Sequence, residues 1–144
     1  MRLQRIFNQG KIINADLYEQ LQDLDQNYIP AFRGCSNEFK DNRDWWVSVD
    51  EAGFIIAYCG CIYSQGICIM NRAWVHKDYR GYGMQRKMIL RRIKAAKEQC
   101  RTIITYTTAD NVVSANNLIK CGFKLYIPEY AYGGKDMLYW VRGL

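Results

Sequence analysis

The sequence predicts an α/β (mixed α+β) fold: a mixed central sheet with helices on both faces. Three observations carry this expectation. Three β-rich runs follow one another between Trp45 and Val75, joined by short turns, which implies an antiparallel meander. A long helix-forming run then separates Val75 from a further β-rich run, Thr102–Thr107, and such a crossover makes these two strands parallel and right-handed. A capped helix and two late strands complete the chain, giving a layered architecture. At 144 residues the expectation is a single domain over 1–144, long enough to bury one core.

Taken in order, Arg2–Phe7 is an initial strand on weak signals. Asn14 reads as an N-cap, with Asp16 in the first turn and Leu17, Leu21 and Leu24 forming one apolar stripe. That helix should end by about Tyr28, because Pro30 restricts what precedes it. Ala31–Asp44 reads either as a short second helix or as a loop across a binding cleft. Trp45–Val49 and Gly53–Ile62 are strands around an Asp50-Glu51-Ala52 turn, and Ile67–Val75 is the third strand of the meander. After Gly83 the chain is rich in Leu, Met, Ile, Ala, Lys, Arg and Gln. There Ile89, Ile93 and Ala96 recur at helical spacing, with Met88 and Leu90 beside them. Asp110 or Asn111 caps a helix running to Lys120, with Gly122 as its left-handed stop. Lys124–Ile127 and Met137–Val141 are the late strands, with Gly133-Gly134 in their connection.

Composition narrows the class. Hydrophobic content of 49% with 24% charged residues suits an ordinary globule. The start MRLQRIFNQGK lacks the apolar stretch of a signal peptide, so the expected location is cytoplasmic. Ala52–Asn71 is free of charge but broken by Gly53, Gly60 and Ser64-Gln65-Gly66, so it reads as two strands and not a membrane span. The six cysteines are not expected to form a disulfide scaffold; Cys59, Cys61 and Cys68 are read as buried small hydrophobes, and no metal site is expected, since Cys59 and Cys61 share one strand face and His76 is the sole histidine. Residues 1–50 carry six basic against eight acidic side chains, net −2; residues 51–144 carry fourteen against six, net +8. Arg86, Lys87, Arg91, Arg92, Lys94 and Lys97 crowd the helix after Gly83. A polyanionic ligand, nucleic acid, or a solvated helix face each accounts for them.

The site-shaped stretch is Ala73–Gln99, a strand end, a glycine-bearing loop and a helix. Glycines let the chain turn tightly at a helix entrance, where free N–H groups suit an anionic group such as phosphate. Neither familiar phosphate motif fits. Position 86, where a dinucleotide fingerprint wants its third glycine, is Arg, and no Gly-Lys-Ser/Thr occurs. The pattern Arg80-Gly81-Tyr82-Gly83-Met84-Gln85, after a strand ending Trp74-Val75, instead resembles the coenzyme A loop of the GCN5-related N-acetyltransferases, Gln/Arg-x-x-Gly-x-Gly/Ala. Arg80 and Gly83 fill two of its three fixed positions, and Gln85 replaces the last small residue. The segment Asn111 to Phe123 is similar to a second signature of that family, with Asn111, Ser114, Lys120, Gly122 and Phe123 at matching positions. Order and separation agree from Trp45 onward.

The resemblance implies an acyl-CoA N-acyltransferase-like fold and transfer of an acetyl group from acetyl-CoA to a primary amine, on a small molecule or a protein. It implies that Trp74 and Val75 meet the pantetheine arm, that Arg80, Gly81, Tyr82, Gly83, Met84 and Gln85 hold the pyrophosphate, and that Asn111 and Ser114 make polar contacts nearby. It also exposes departures. Many relatives carry a tyrosine five residues before the closing Phe as general acid, and that position is Leu118. A strand carboxylate often serves as base, yet no Asp or Glu lies between Ala52 and His76. Tyr106, Tyr126 and Glu129 are candidate substitutes, His76 reads as a loop residue, and no catalytic side chain is assigned. Two other readings stay open: a nucleic-acid-binding module using the basic helix 86–97, against which no zinc-finger, RNP or GXXG signature appears, and a nonenzymatic coenzyme A-binding protein of the same fold. Subunit number is open too, a homodimer included.

Overall fold

The computed structural model describes residues 2–35 and 38–144. Its strands and helices run β1 (Gln4–Asn8), β2 (Lys11–Ile12), α1 (Ala15–Asp23), β3 (Arg43–Val49), β4 (Ile55–Ser64), β5 (Ile67–Val75), α2 (Met84–Ala96), β6 (Thr102–Thr108), α3 (Val112–Lys120), β7 (Lys124–Tyr126) and β8 (Met137–Gly143). The strands form one eight-stranded sheet in the order β2-β1-β3-β4-β5-β6-β8-β7. All neighbouring pairs are antiparallel except β5 and β6, which are parallel as the crossover demands. No helix among the described residues is long and apolar enough to cross a membrane.

Local signals explain most boundaries. The Asn14 side chain accepts from the Leu17 N–H, capping α1 as expected. A π-helical turn, Leu24–Tyr28, then finishes the helix just short of Pro30. Gly53 does not open a strand. It sits at φ +88° in the turn where Asp50 Oδ1 accepts from Ala52 and Phe54 N–H, so β4 starts at Ile55 and continues to Ser64. Gly122 ends α3 at φ +89° as expected. Of Ala31–Asp44, expected as a short helix or a loop, residues 31–35 and 39–42 are turns and loop, Arg43 and Asp44 already belong to β3, and residues 36 and 37 lie outside the described residues.

Two cores fill the faces. On one, α2 and α3 pack Met84, Met88, Ile89, Ile93, Leu118 and Phe123 against Cys59, Cys61, Cys68, Ile103 and Trp140. On the other, α1 packs Leu21 against Ile6, Trp45, Val47 and Tyr58. The buried cysteines are free thiols, as expected. Leu90, counted with the apolar face of α2 from its composition, points to solvent instead.

The decisive local feature is a bulge in β5. Cys59 pairs with Ala73 and Cys61 with Met70, so Asn71 and Arg72 stand opposite Gly60 alone. Arg92, expected on the basic face of α2, is 3% exposed and lies beneath this bulge. Its Nη1 donates to Gly60 O and to Arg72 O, both at 3.3 Å, and its Nε donates to Met88 O at 3.2 Å. A bulge leaves backbone carbonyls without ladder partners, and this guanidinium supplies the donors. Replacing Arg92 with Met keeps much of the bulk but removes them. Arg92→Met should lower unfolding free energy by at least about 1.5–3 kcal/mol, the usual scale for a charge-assisted hydrogen bond. Urea unfolding followed by circular dichroism measures the loss, and a midpoint matching the parent would refute this role.

Candidate active site

The strands around the bulge part company. β5 and β6 pair only from Ile67–Ile69 against Thr102–Ile104. One residue later the Thr105 hydroxyl donates to Met70 O at 3.0 Å, and beyond that point the two strands share no register. The parting leaves a gap between the two strands beyond Met70.

On the α2 side lies a cleft of about 700 Å³, bounded by the end of β5, the loop before α2, and the start of α3. Gly81 and Gly83 both adopt left-handed φ, +85° and +78°, which an L side chain tolerates poorly. A Cβ on either glycine would meet nothing within 4 Å, so backbone conformation is what demands glycine there. Gly83 is the N-cap of α2 and offers no side-chain acceptor, which leaves the first-turn N–H groups of a thirteen-residue helix available to an anion. Arg80 turns back to donate Nε to Val75 O at 3.0 Å, tying the loop to the strand end.

Trp74, Val75, Arg80, Gly81, Gly83, Met84, Gln85 and Asn111 all line this cleft, joined by Met88, Val113 and Asn117. Tyr82 and Ser114 do not. Tyr82 points outward at 75% exposure. Ser114 Oγ accepts from Gln85 Nε2 at 2.6 Å, while Gln85 Oε1 accepts from Asn117 Nδ2 at 2.9 Å. The Gln85 amide thus fastens α2 to α3, which explains a long polar residue where a small one was expected. Asn111 caps α3 by accepting from the Ser114 N–H at 3.2 Å.

The proton-handling candidates lie elsewhere. Leu118 is buried in the α2–α3 core. His76 stands edge-on between the Trp74 and Tyr79 rings, its Nδ1 accepting from the Asp78 N–H at 3.1 Å. Tyr126 Oη lies 2.9 Å from Tyr132 Oη, which itself donates to Thr105 O at 3.2 Å, so the Tyr126 proton is engaged by Tyr132. Burial and the Tyr126 hydroxyl push the Tyr132 phenol well above its ordinary range. Tyr126 lines a separate groove of about 650 Å³ beside β7, and Glu129 is exposed in the β7–β8 connection. Tyr106 is half-open, with Gly133 flat against its ring.

Two carboxylates near the bulge escaped the sequence reading, because their approach is tertiary. Asp25, fully buried in the π-turn, accepts through Oδ1 from Tyr58 Oη at 2.6 Å and from Arg72 Nε at 3.1 Å. Burial of the Tyr58 ring, with the Asp25 carboxylate beside it, pushes the Tyr58 phenol far up. Glu38 accepts through Oε2 from Asn71 Nδ2. Both reach β5 from the α1 face, opposite the cleft.

Comparison with known proteins adds to this geometry. Solved structures of similar shape include an aminoglycoside 6′-N-acetyltransferase complexed with coenzyme A (TM-score 0.72, 16% identity, covering 99% of this chain and 97% of that one). A GNAT-family acetyltransferase from Staphylococcus aureus Mu50 aligns with TM-score 0.70 at 17% identity over 99% of both chains. The IAA acetyltransferase from Bacillus cereus gives 0.70 at 13% identity, again over 99% of each. These likenesses show the fold, which is that of the acyl-CoA N-acyltransferases. No curated protein matches the sequence. The model of the Acetyltransferase (GNAT) family matches residues 10–123, so the chain belongs to that family.

Proposed function

We propose that this protein transfers an acetyl group from acetyl-CoA to a primary amine, within the acetyltransferase role its family supports. The observation that carries the reading is the cleft itself: an uncapped α2 N-terminus and two left-handed glycines facing the end of β5 that no longer pairs with β6. The residues present fit coenzyme A. Backbone N–H groups of Gly83 to Arg86 suit a diphosphate, Arg80 and Arg86 add screened attraction at the rim, and the β5 end from Ala73 to Val75 offers main-chain groups to an amide-bearing arm. Bound there, the cofactor supplies an activated thioester. The chain's own contribution is orientation of both partners and main-chain donors at the opening, which together account for much of such a rate enhancement. The free thiols accord with a reducing, cytoplasmic setting.

The nucleic-acid reading loses ground on a specific observation. Arg92 is buried under the bulge, so the α2 surface is less basic than its sequence suggests. Isothermal calorimetry should give an affinity near about 1 μM for acetyl-CoA, roughly −8 kcal/mol, with weaker, salt-sensitive binding to an oligonucleotide. Strong oligonucleotide binding without cofactor binding would overturn the proposal, and tight cofactor binding with no thiol release across a primary-amine panel would favour a nonenzymatic protein.

Gly83→Val tests the site. Forcing a β-branched residue toward φ +78° costs about 1–3 kcal/mol, so cofactor affinity should drop by about tenfold or more in a protein whose far-ultraviolet circular dichroism is unchanged. An unaltered affinity in that folded variant places the cofactor elsewhere.

Tyr126→Phe tests the tyrosines. General acid assistance is worth about 10²–10⁴-fold. Because the Tyr126 proton is engaged by Tyr132, turnover should change by less than about threefold, with the alkaline limb of the pH–rate profile unmoved. A hundredfold loss at constant cofactor affinity would restore Tyr126 as the acid.

A further inference from the structure

The α1 side of the opening holds a carboxylate that no strand supplies. Glu38 stands in the connection between α1 and β3, and its Oε2 accepts from Asn71 Nδ2, with Arg43 Nε 3.7 Å from the same oxygen. Asn71 belongs to the β5 bulge. Since Ile69 and Ile104 are the last paired residues, Asn71 and Tyr106 are the next residues on that face of the two parting strands. The Glu38 side chain remains 22% exposed at this point. A second feature is independent of the acid. Asn71 Oδ1 is sealed from solvent and has no donor, an unmet acceptor beside the carboxylate.

The nearby guanidinium of Arg72 is engaged elsewhere. It donates to Asp25 Oδ1 and to Cys35 O, each at 3.1 Å, and its carbon lies 4.2 Å from the centre of the Phe32 ring. These contacts hold the α1–β3 connection against the bulge and so fix where Glu38 arrives. An alkylammonium group carries three N–H donors and a full charge, which matches the partly exposed Glu38 carboxylate.

We propose that Glu38, oriented by Asn71, recognises the protonated amine of the acceptor at the β5 bulge and selects cationic primary amines over neutral acceptors. The proposal rests on the acetyltransferase reading above, for which it names the acceptor side of the site. Glu38 acts here as a specificity residue, and no strand carboxylate is needed for that task.

The test uses the full chain, with and without saturating coenzyme A, titrated with n-butylamine and with 1-butanol as its uncharged match. Proton–nitrogen correlation spectra follow the Asn71 side-chain amide. Butylamine should shift that resonance and 1-butanol should not. Glu38→Gln, which keeps an acceptor for Asn71 Nδ2, should weaken the amine response by about tenfold or more, while coenzyme A affinity stays within about twofold. Glu38→Asp should recover part of the response. With the best amine from the thiol-release panel, Glu38→Gln should raise KM more than it lowers kcat. Equal responses to amine and alcohol, or an unchanged amine response in a Glu38→Gln protein with parental melting, would overturn the assignment. Failure of the acetyltransferase reading looks different: the parent protein would bind no coenzyme A, whatever the amine titration gives.

Discussion

Two carbonyls at the β5 bulge, Gly60 O and Arg72 O, and the guanidinium that donates to both set the geometry on which the site depends. A buried arginine is costly to desolvate, and here it is compensated by backbone dipoles. The bulge it supports puts Asn71 and Arg72 together on the α1 face, and pairing of β5 with β6 ends just before them. Thr105 closes the last gap by donating to Met70 O, so the two strands separate without leaving that carbonyl unmet. The bulge in the β4–β5 pair and the end of β5–β6 pairing thus fall at the same place in the sheet.

How much of this could be read in the chain follows from which forces are local. The glycine loop was legible because left-handed φ at Gly81 and Gly83 leaves a residue-type signature, as do the Asn14 and Asn111 caps. The meander and the parallel crossover were legible from run lengths and turn residues. Arg92 was not. By type it belongs with Arg91 and Lys94 on a solvated face, yet it lies four and eight residues after Met88 and Met84, on the buried stripe. Leu90 is the converse, an apolar residue on the wet face. Gln85 looked like a damaged motif position until its amide was seen to join α2 to α3. Asp25 and Glu38 come from a helix end and a connection separated from β5 by more than thirty residues, so neither periodicity nor spacing could bring them to the bulge. Strands β4 and β5 themselves carry no carboxylate.

The same geometry bears on the position where many relatives carry a general acid. Leu118 packs with Cys121 and Phe123 in the α2–α3 core, and a phenol there would need room and a hydroxyl partner. Helix α3 in this chain serves packing through that face and the cleft through Asn111 at its cap and Asn117 in its second turn. Tyrosines do gather on the far strands, but burial raises the Tyr132 phenol, which makes it a reluctant proton donor near neutrality.

Charge is divided across the opening in a way that a single net value hides. The α2 face presents a helix N-terminus with Arg80 and Arg86, arranged for an anion. The α1 face carries the partly exposed Glu38, from the acidic first third of the sequence, while Asp25 lies buried there against Arg72. An anionic cofactor and a cationic acceptor would then approach the same gap between β5 and β6 from opposite faces, each drawn by its own side and each screened from the other by the sheet. That arrangement needs no residue shared between the two binding tasks. It also explains why a chain of net charge +6 can keep its acids clustered near one end without weakening the basic side of the cleft.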